Sequence, residues 1–345
     1  MQRNKKILIT RFSAIGDVAM TIPVLYSFAL SNPDADITFV SQPFLKNLLI
    51  NAPDNISFQP IDTRGAEKSI AGVLRFFFKL RKQKFDYVLD LHDVLRSKVL
   101  RTAFRFSGTK VFYIDKGRAE KKALTAKDNK SFLQLKTSFE RYQDVFRKAG
   151  FHFDLTFTSL FQTIKPDLSV ITSHFGIKQG KWIGIAPFAK HAGKIYPLDK
   201  MEKVVASLSE RENTTLFLFG GGKEELNLFN EWSEKYQGIK VVGKLLKLDQ
   251  ELVLMSQLDA MISMDSANMH FASLVGTPVL SIWGATHPYA GFMGYNQSYE
   301  RAVQLDMPCR PCSVFGNKPC FRGDYACLNN ISPDLVIEKL DNIIR

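Results

Sequence analysis

The order of short apolar runs and polar turns is what most limits the folds open to this chain. Residues 6–12, Lys-Ile-Leu-Ile-Thr-Arg-Phe, have the continuous apolar centre that a buried parallel strand needs. A polar turn ends at Asp17, and helical apolar spacing then runs from about 18 to 30. Strand patterns follow at 37–40, 87–91 and 111–114, with helical spacing over 67–83. After a change of character near 163–180 the alternation restarts. Strands are predicted at 181–186, 215–219, 259–264 and 279–283, and a helix at 198–210. Such alternation predicts an α/β chain of two Rossmann-like domains, 1–165 and 166–345, facing a central cleft. The two halves share an architecture but no visible sequence repeat.

Composition narrows the function classes. A formal net charge of +12 favours anionic partners, whether nucleic acid, phosphorylated substrate or an anionic membrane surface. A nucleic-acid binder needs basic residues interleaved with exposed aromatics, or a recognised module, and neither is evident, so no nucleic-acid partner is expected. No run of eighteen apolar residues exists, which excludes a spanning helix. The basic N-terminus continues into a stretch broken by Arg11 and Asp17, so it reads as the first strand and not as a signal peptide. A cytoplasmic location follows, with peripheral contact at the inner face of the cytoplasmic membrane left open. The segment 75–82, Arg-Phe-Phe-Phe-Lys-Leu-Arg-Lys, can lie on anionic lipid, although a buried helix is the favoured reading. The lysine-rich stretch 115–130 reads as a mobile surface loop.

The polar clusters fall at strand ends, where open α/β sheets bind ligands. The first is Ser13-Ala14-Ile15-Gly16-Asp17. Gly16 permits a tight turn, and the following helix start offers free amides to an anion. Asp17 reads as a helix cap, and a capping carboxylate that also faces a ligand can serve as a general base. Lys190 and Lys194 flank Gly193 after a buried strand, where a lysine can reach a phosphate. Gly220-Gly221-Gly222 precedes Glu224, a carboxylate able to accept from ribose hydroxyls, without the ending of a Walker loop. Asp265, Ser266, Ala267 and His270 enter a helix predicted from 270, and His270 is either a phosphate donor or a packed core group. Asp34-Ala35-Asp36 precedes its strand and reads as turn chemistry. Cys309, Cys312, Cys320 and Cys327 have the spacing C-x2-C-x7-C-x6-C, looser than a zinc ribbon, so a structural metal ranks below free thiols or a redox pair.

These four polar clusters, in this order, resemble glycosyltransferase family 9, the lipopolysaccharide core heptosyltransferases. The most specific segments are 7–25, 264–279 and Trp283-Gly284-Ala285-Thr286-His287-Pro288. The resemblance implies a GT-B fold, with an N-terminal acceptor domain and a C-terminal donor domain. It implies inverting, metal-independent transfer of a heptose or related sugar from an ADP-sugar to a lipid-linked or oligosaccharide acceptor, with no other cofactor. Asp17 becomes the general base, and Ser13, Gly16, Arg11 and His92 lie on the acceptor side. Lys194 matches the lysine on the donor diphosphate, Glu224 the carboxylate on the nucleoside, and Asp265, Ser266, Ala267 and His270 the helix start that grips donor sugar and phosphates. Ala267 stands where the family usually has glycine, and His92-Asp93 where it usually has Gln-Gly. A nucleotide-sugar epimerase or hydrolase on the same fold is the alternative.

Overall fold

The computed structural model describes residues 4–345. It divides into two compact units. One comprises the chain through Lys116 together with Ser138–Thr163; the other comprises Gly117–Thr137 and Ile164–Arg345.

The first unit is built on five parallel strands: β1 (Lys5–Thr10), β2 (Ala35–Ser41), β3 (Ile56–Pro60), β4 (Tyr87–Asp90) and β5 (Lys110–Tyr113). Their order is β3-β2-β1-β4-β5. The chain works outward from β1 to β3 and then crosses to β4, so the direction of winding reverses between β1 and β4. A ligand site is expected beyond the carboxyl ends of those two strands. Ile7, Leu8 and Ile9 of β1 are fully buried, as a central strand covered on both faces requires. Phe76, Phe77 and Leu80 pack with Leu100 and Phe104 on one side of the sheet. Phe28 stacks on Phe146 and Phe151, joining the helices Ile22–Ser31 and Ser138–Lys148.

The second unit has six parallel strands: β6 (Lys181–Ala186), β7 (Thr214–Leu218), β8 (Ile239–Val241), β9 (Ala260–Met264), β10 (Val279–Ile282) and β11 (Ala302–Val303). Their order is β11-β10-β9-β6-β7-β8, which puts the reversal between β6 and β9. The core joins these strands to Met201, Val205, Phe229 and Trp232 from the flanking helices.

Several expectations are corrected. The single helix over 18–30 is two, Ile15–Ala19 and Ile22–Ser31, with Pro23 in the first turn of the second, where its missing N–H costs nothing. The edge strands β3, β8 and β11 were not predicted; β3 is half exposed, and the other two are too short to show a pattern. The lysine-rich stretch is not simply a loop, because it carries the helix Arg118–Leu124. The segment Gly117–Thr137 belongs to the second compact unit. Lys130 Nζ donates to the Pro311 carbonyl at 2.9 Å, and Phe132 packs edge-on to His287 with ring centres 5.0 Å apart. Leu124 and Phe132 supply apolar anchors that the surrounding lysines mask in the sequence.

Candidate active site

In the first unit the reversal point is held by a layer of buried polar bonds. Asp90, at the end of β4, is fully buried; it accepts from His92 N at 2.9 Å, Asp93 N at 3.0 Å and Arg101 Nη1 at 2.8 Å. This fixes the turn after β4. Arg11, just past β1, donates Nη1 to the Leu91 carbonyl at 2.8 Å, and Phe12 N donates to His92 Nδ1 at 3.3 Å. The two strand ends are thereby stitched together. Burial, aided by the charges of Arg11 and Lys116, pushes His92 down to about 2. The ring is neutral, and since Nδ1 accepts, its proton sits on Nε2.

Asp17 lies in the helix Ile15–Ala19. Its Oδ2 takes Arg11 Nη2 at 2.7 Å and the Ala14 amide at 3.3 Å. Among the described residues Oδ1 has no hydrogen-bond or ion-pair partner. One oxygen thus fixes the carboxylate and caps the helix, while the other is available for a proton. Tyr142, which the sequence reading missed, completes the setting. Its hydroxyl donates to the Asp17 carbonyl at 3.3 Å, and its buried ring lies 5.9 Å from the Arg11 guanidinium carbon. Nothing near Asp17 in sequence points to Tyr142, 125 residues away. Gly16 is helical and does not take a positive φ, so the tight turn expected of it is absent. Ser13 precedes this helix and is partly exposed.

In the second unit, Lys194 Nζ meets Asp265 Oδ2 at 2.8 Å, across the reversal between β6 and β9. Lys194 ends a short 3-10 turn, Ala192–Lys194, and Asp265 follows β9 directly. Two glycines permit this placement. A Cβ on Gly193 would come within 2.9 Å of Ala285 Cβ and the Gly316 carbonyl, and one on Gly316, where φ is +74°, would meet the Lys194 stem at 2.6 Å. Arg310, also missed in the sequence, is buried and donates to the carbonyls of Gly284 at 2.6 Å, Thr286 at 3.1 Å and Trp283 at 3.2 Å. It thereby pins the turn after β10, the neighbour of β9. His287 on that turn is pushed down to about 4 by burial and by Arg310.

The remaining residues expected on the donor side follow β9 and β7 of the same unit. Ser266 occupies the N-cap position of the helix Ala267–Leu274 without a side-chain cap bond, its Oγ lying 3.3 Å from Ser263 Oγ, and Ala267 is the first helical residue. His270 is buried on that helix, which begins three residues before the predicted start. Glu224 sits exposed in the first turn of the helix Lys223–Lys235. Its neighbour Glu225 accepts from the Gly221 and Gly222 amides at 2.8 and 3.0 Å. The glycine turn therefore spends these amides on its own cap, while Glu224 has no hydrogen-bond or ion-pair partner among the described residues. The four cysteines are free thiols, Cys312 and Cys327 buried, Cys309 and Cys320 partly exposed. Among the described residues no group of three or more His, Cys, Asp or Glu lies close enough to hold a metal ion.

A family model described as glycosyltransferase family 9 (heptosyltransferase) matches residues 73–319. The chain belongs to this family. This family 9 glycosyltransferase is 24% identical to the lipopolysaccharide core heptosyltransferase OpsX of Haemophilus influenzae over 315 residues, 88% of this chain and 87% of that protein. Its fold is similar to that of the glycosyltransferase family 9 protein of Veillonella parvula, with a TM-score of 0.75 at 19% identity, covering 100% of this chain and 98% of that one. It is also similar to the E. coli ADP-heptose lipopolysaccharide heptosyltransferase II, with a TM-score of 0.72 at 17% identity and 98% of each chain covered. The fold is GT-B, and the resemblance carried by the sequence motifs is borne out. Among the described residues no helix is long and apolar enough to cross a membrane.

Proposed function

We propose that this family 9 glycosyltransferase moves a heptose from ADP-heptose to a saccharide of the lipopolysaccharide core, lipid-linked at the time of transfer, and inverts the anomeric centre. The observation that carries the reading is the carboxylate of Asp17, anchored through Oδ2 with Oδ1 unpartnered. A sugar hydroxyl is a weak nucleophile, so a base must take its proton as the new bond forms. Asp17 Oδ1 removes the proton, the acceptor oxygen attacks the anomeric carbon, and the bond from that carbon to the ADP phosphate oxygen breaks on the opposite face. The anomeric centre then carries positive charge in the transition state and ADP gathers negative charge.

Lys194 neutralises that charge. An ammonium has three donors, and Lys194 meets Asp265 as an ion pair at 2.8 Å, so donors are left for diphosphate oxygens. The amides at the start of the helix Ala267–Leu274 add a second source of positive potential. This arrangement supplies leaving-group stabilisation from the chain itself, which supports transfer without a metal. Glu224, with Ser266 and His270, is assigned to the nucleoside and sugar of the donor.

The test is product analysis with purified ADP-heptose, with and without a heptose-deficient core acceptor. Asp17→Asn is expected to retain ADP binding and lose transfer. Consumption of ADP-heptose by the native protein at equal rates without acceptor would replace this reading by a hydrolase or epimerase.

A further inference from the structure

The positive charge of this chain is not evenly spread. The segments 68–84 and 94–110 together hold eleven basic residues and no acidic one, against a net charge of +12 for the whole protein. Both segments belong to one layer of the first unit. The helices Ile70–Leu80 and Leu95–Phe106 pack side by side: Arg96 donates to the Lys68 carbonyl at 2.9 Å, and Phe77 meets Phe104 edge-on at 4.9 Å. That register runs the two helices parallel. Ile70 and Leu95 share one end of the layer, and Phe78 and Phe106 share the other.

The inner face of this layer is accounted for by Val73, Phe76, Phe77, Leu80, Leu100 and Phe104 in the core. The outer face is also apolar in part. Ile70, Leu74 and Phe78 recur every four residues on one exposed stripe; Phe78 is 55% exposed and Phe106 is 88% exposed. Beside the stripe stand Arg75, Lys79, Lys82 and Arg105, all exposed and without a carboxylate partner among the described residues. A soluble helix normally pairs or dilutes such charge, and leaving an aliphatic and aromatic stripe in water costs free energy that contact would recover.

We propose that the outer face of these two helices is a docking surface for an anionic phospholipid bilayer. The charge pattern selects the partner. Basic side chains interleaved with Ile, Leu and Phe match a surface that offers phosphate above and acyl chain below, in the manner of an interfacial helix. A duplex nucleic acid would use the charges but leave the aliphatic stripe exposed. The surface lies within one unit and does not depend on the transferase reading, so its test uses no activity measurement.

The test is co-sedimentation of the full chain with sized vesicles at moderate ionic strength. Binding is expected to vesicles of phosphatidylglycerol and phosphatidylcholine, and not to phosphatidylcholine alone. Each neutralised basic residue should lower the partition coefficient about fivefold, so Arg75→Gln, Lys79→Gln and Lys82→Gln together should lower it about a hundredfold. Leu74→Ser with Phe78→Ser should lower it about tenfold and leave the remainder salt-sensitive. All five side chains are exposed, and an unchanged circular dichroism spectrum and thermal midpoint would verify folding. Wild-type protein that stays in the supernatant, variants that bind like wild type, or a duplex oligonucleotide bound as tightly as the vesicles would each overturn the assignment.

Discussion

The two units place the same kind of ion pair at the same point of their topology, but turned inside out. In the first, Arg11 is the buried partner, at 8% side-chain exposure, and Asp17 is the accessible one, at 30%. In the second, Asp265 is buried at 5% and Lys194 is the more accessible at 15%. Both pairs are short, 2.7 and 2.8 Å, and both sit where the winding of a parallel sheet reverses. The difference decides which charge a ligand meets. The first unit offers a carboxylate backed by a fixed cation, suited to taking a proton. The second offers an ammonium backed by a fixed carboxylate, suited to holding an anion. On the proposed function, one topological position serves two chemistries through the choice of which partner is buried.

The strongest way to break this comparison is to remove the exposed carboxylate. Asp17→Asn should lower kcat by about a thousandfold, within the range for loss of a general base, while ADP affinity measured by calorimetry stays unchanged. An equal loss of ADP affinity would show that the first unit also serves the donor. The second test removes the exposed cation. Lys194→Met should weaken ADP about a hundredfold, as loss of a charge-assisted bond does, and should cost about 3 kcal/mol in chemical denaturation because Asp265 is left buried and unpaired. Adding Asp265→Asn should restore most of the stability and none of the affinity.

A third test uses two buried neutral histidines, His92 in the first unit and His287 in the second. His92 is held near 2 and His287 near 4, both below the ordinary value of 6.5. The native state therefore binds fewer protons than the unfolded chain below pH 6.5. Stability from this source is complete above that pH and is lost as the pH falls. At pH 5 each histidine should have removed about 2 kcal/mol relative to pH 7.5. His92→Gln and His287→Gln should each flatten the denaturation profile between pH 7 and 5. The smallest effect is expected from Arg11→Met. Methionine can occupy the buried space and Asp17 remains hydrated, so stability should change by about 1 kcal/mol or less. Transfer should fall about tenfold, because the carboxylate loses the group that orients it, and Arg11→Lys should recover part of it.

Legibility varied with how local the cause was. The strands β1, β4, β6, β7, β9 and β10 could be read because a buried parallel strand is a continuous apolar run, whereas β3 lies half exposed at an edge and shows none. Asp17, Lys194 and Asp265 could be singled out because each lies in the segment that follows a buried strand, Asp265 directly and the other two within eight residues, and position after a strand is a sequence property. Tyr142, Arg310 and Gly316 could not, because each acts on a segment distant in the chain. The attachment of the stretch 117–137 to the second unit is not legible for the same reason: its lysines are visible in sequence, but the partners of Leu124 and Phe132 are not.

By itself the sequence determined the α/β class, the two-part architecture, the family and the residues that carry charge to the strand ends. These follow from apolar periodicity and from motifs contained within single loops. Only the tertiary structure decided that Arg11 and Lys194 pair with those carboxylates, and which member of each pair faces outward. Burial is set by neighbours from other parts of the chain, and it is burial that leaves one Asp accessible and encloses the other. The same reason applies to the helices Ile70–Leu80 and Leu95–Phe106. Their composition fixed the charge, but packing on the sheet chose which apolar residues entered the core and which were left outside.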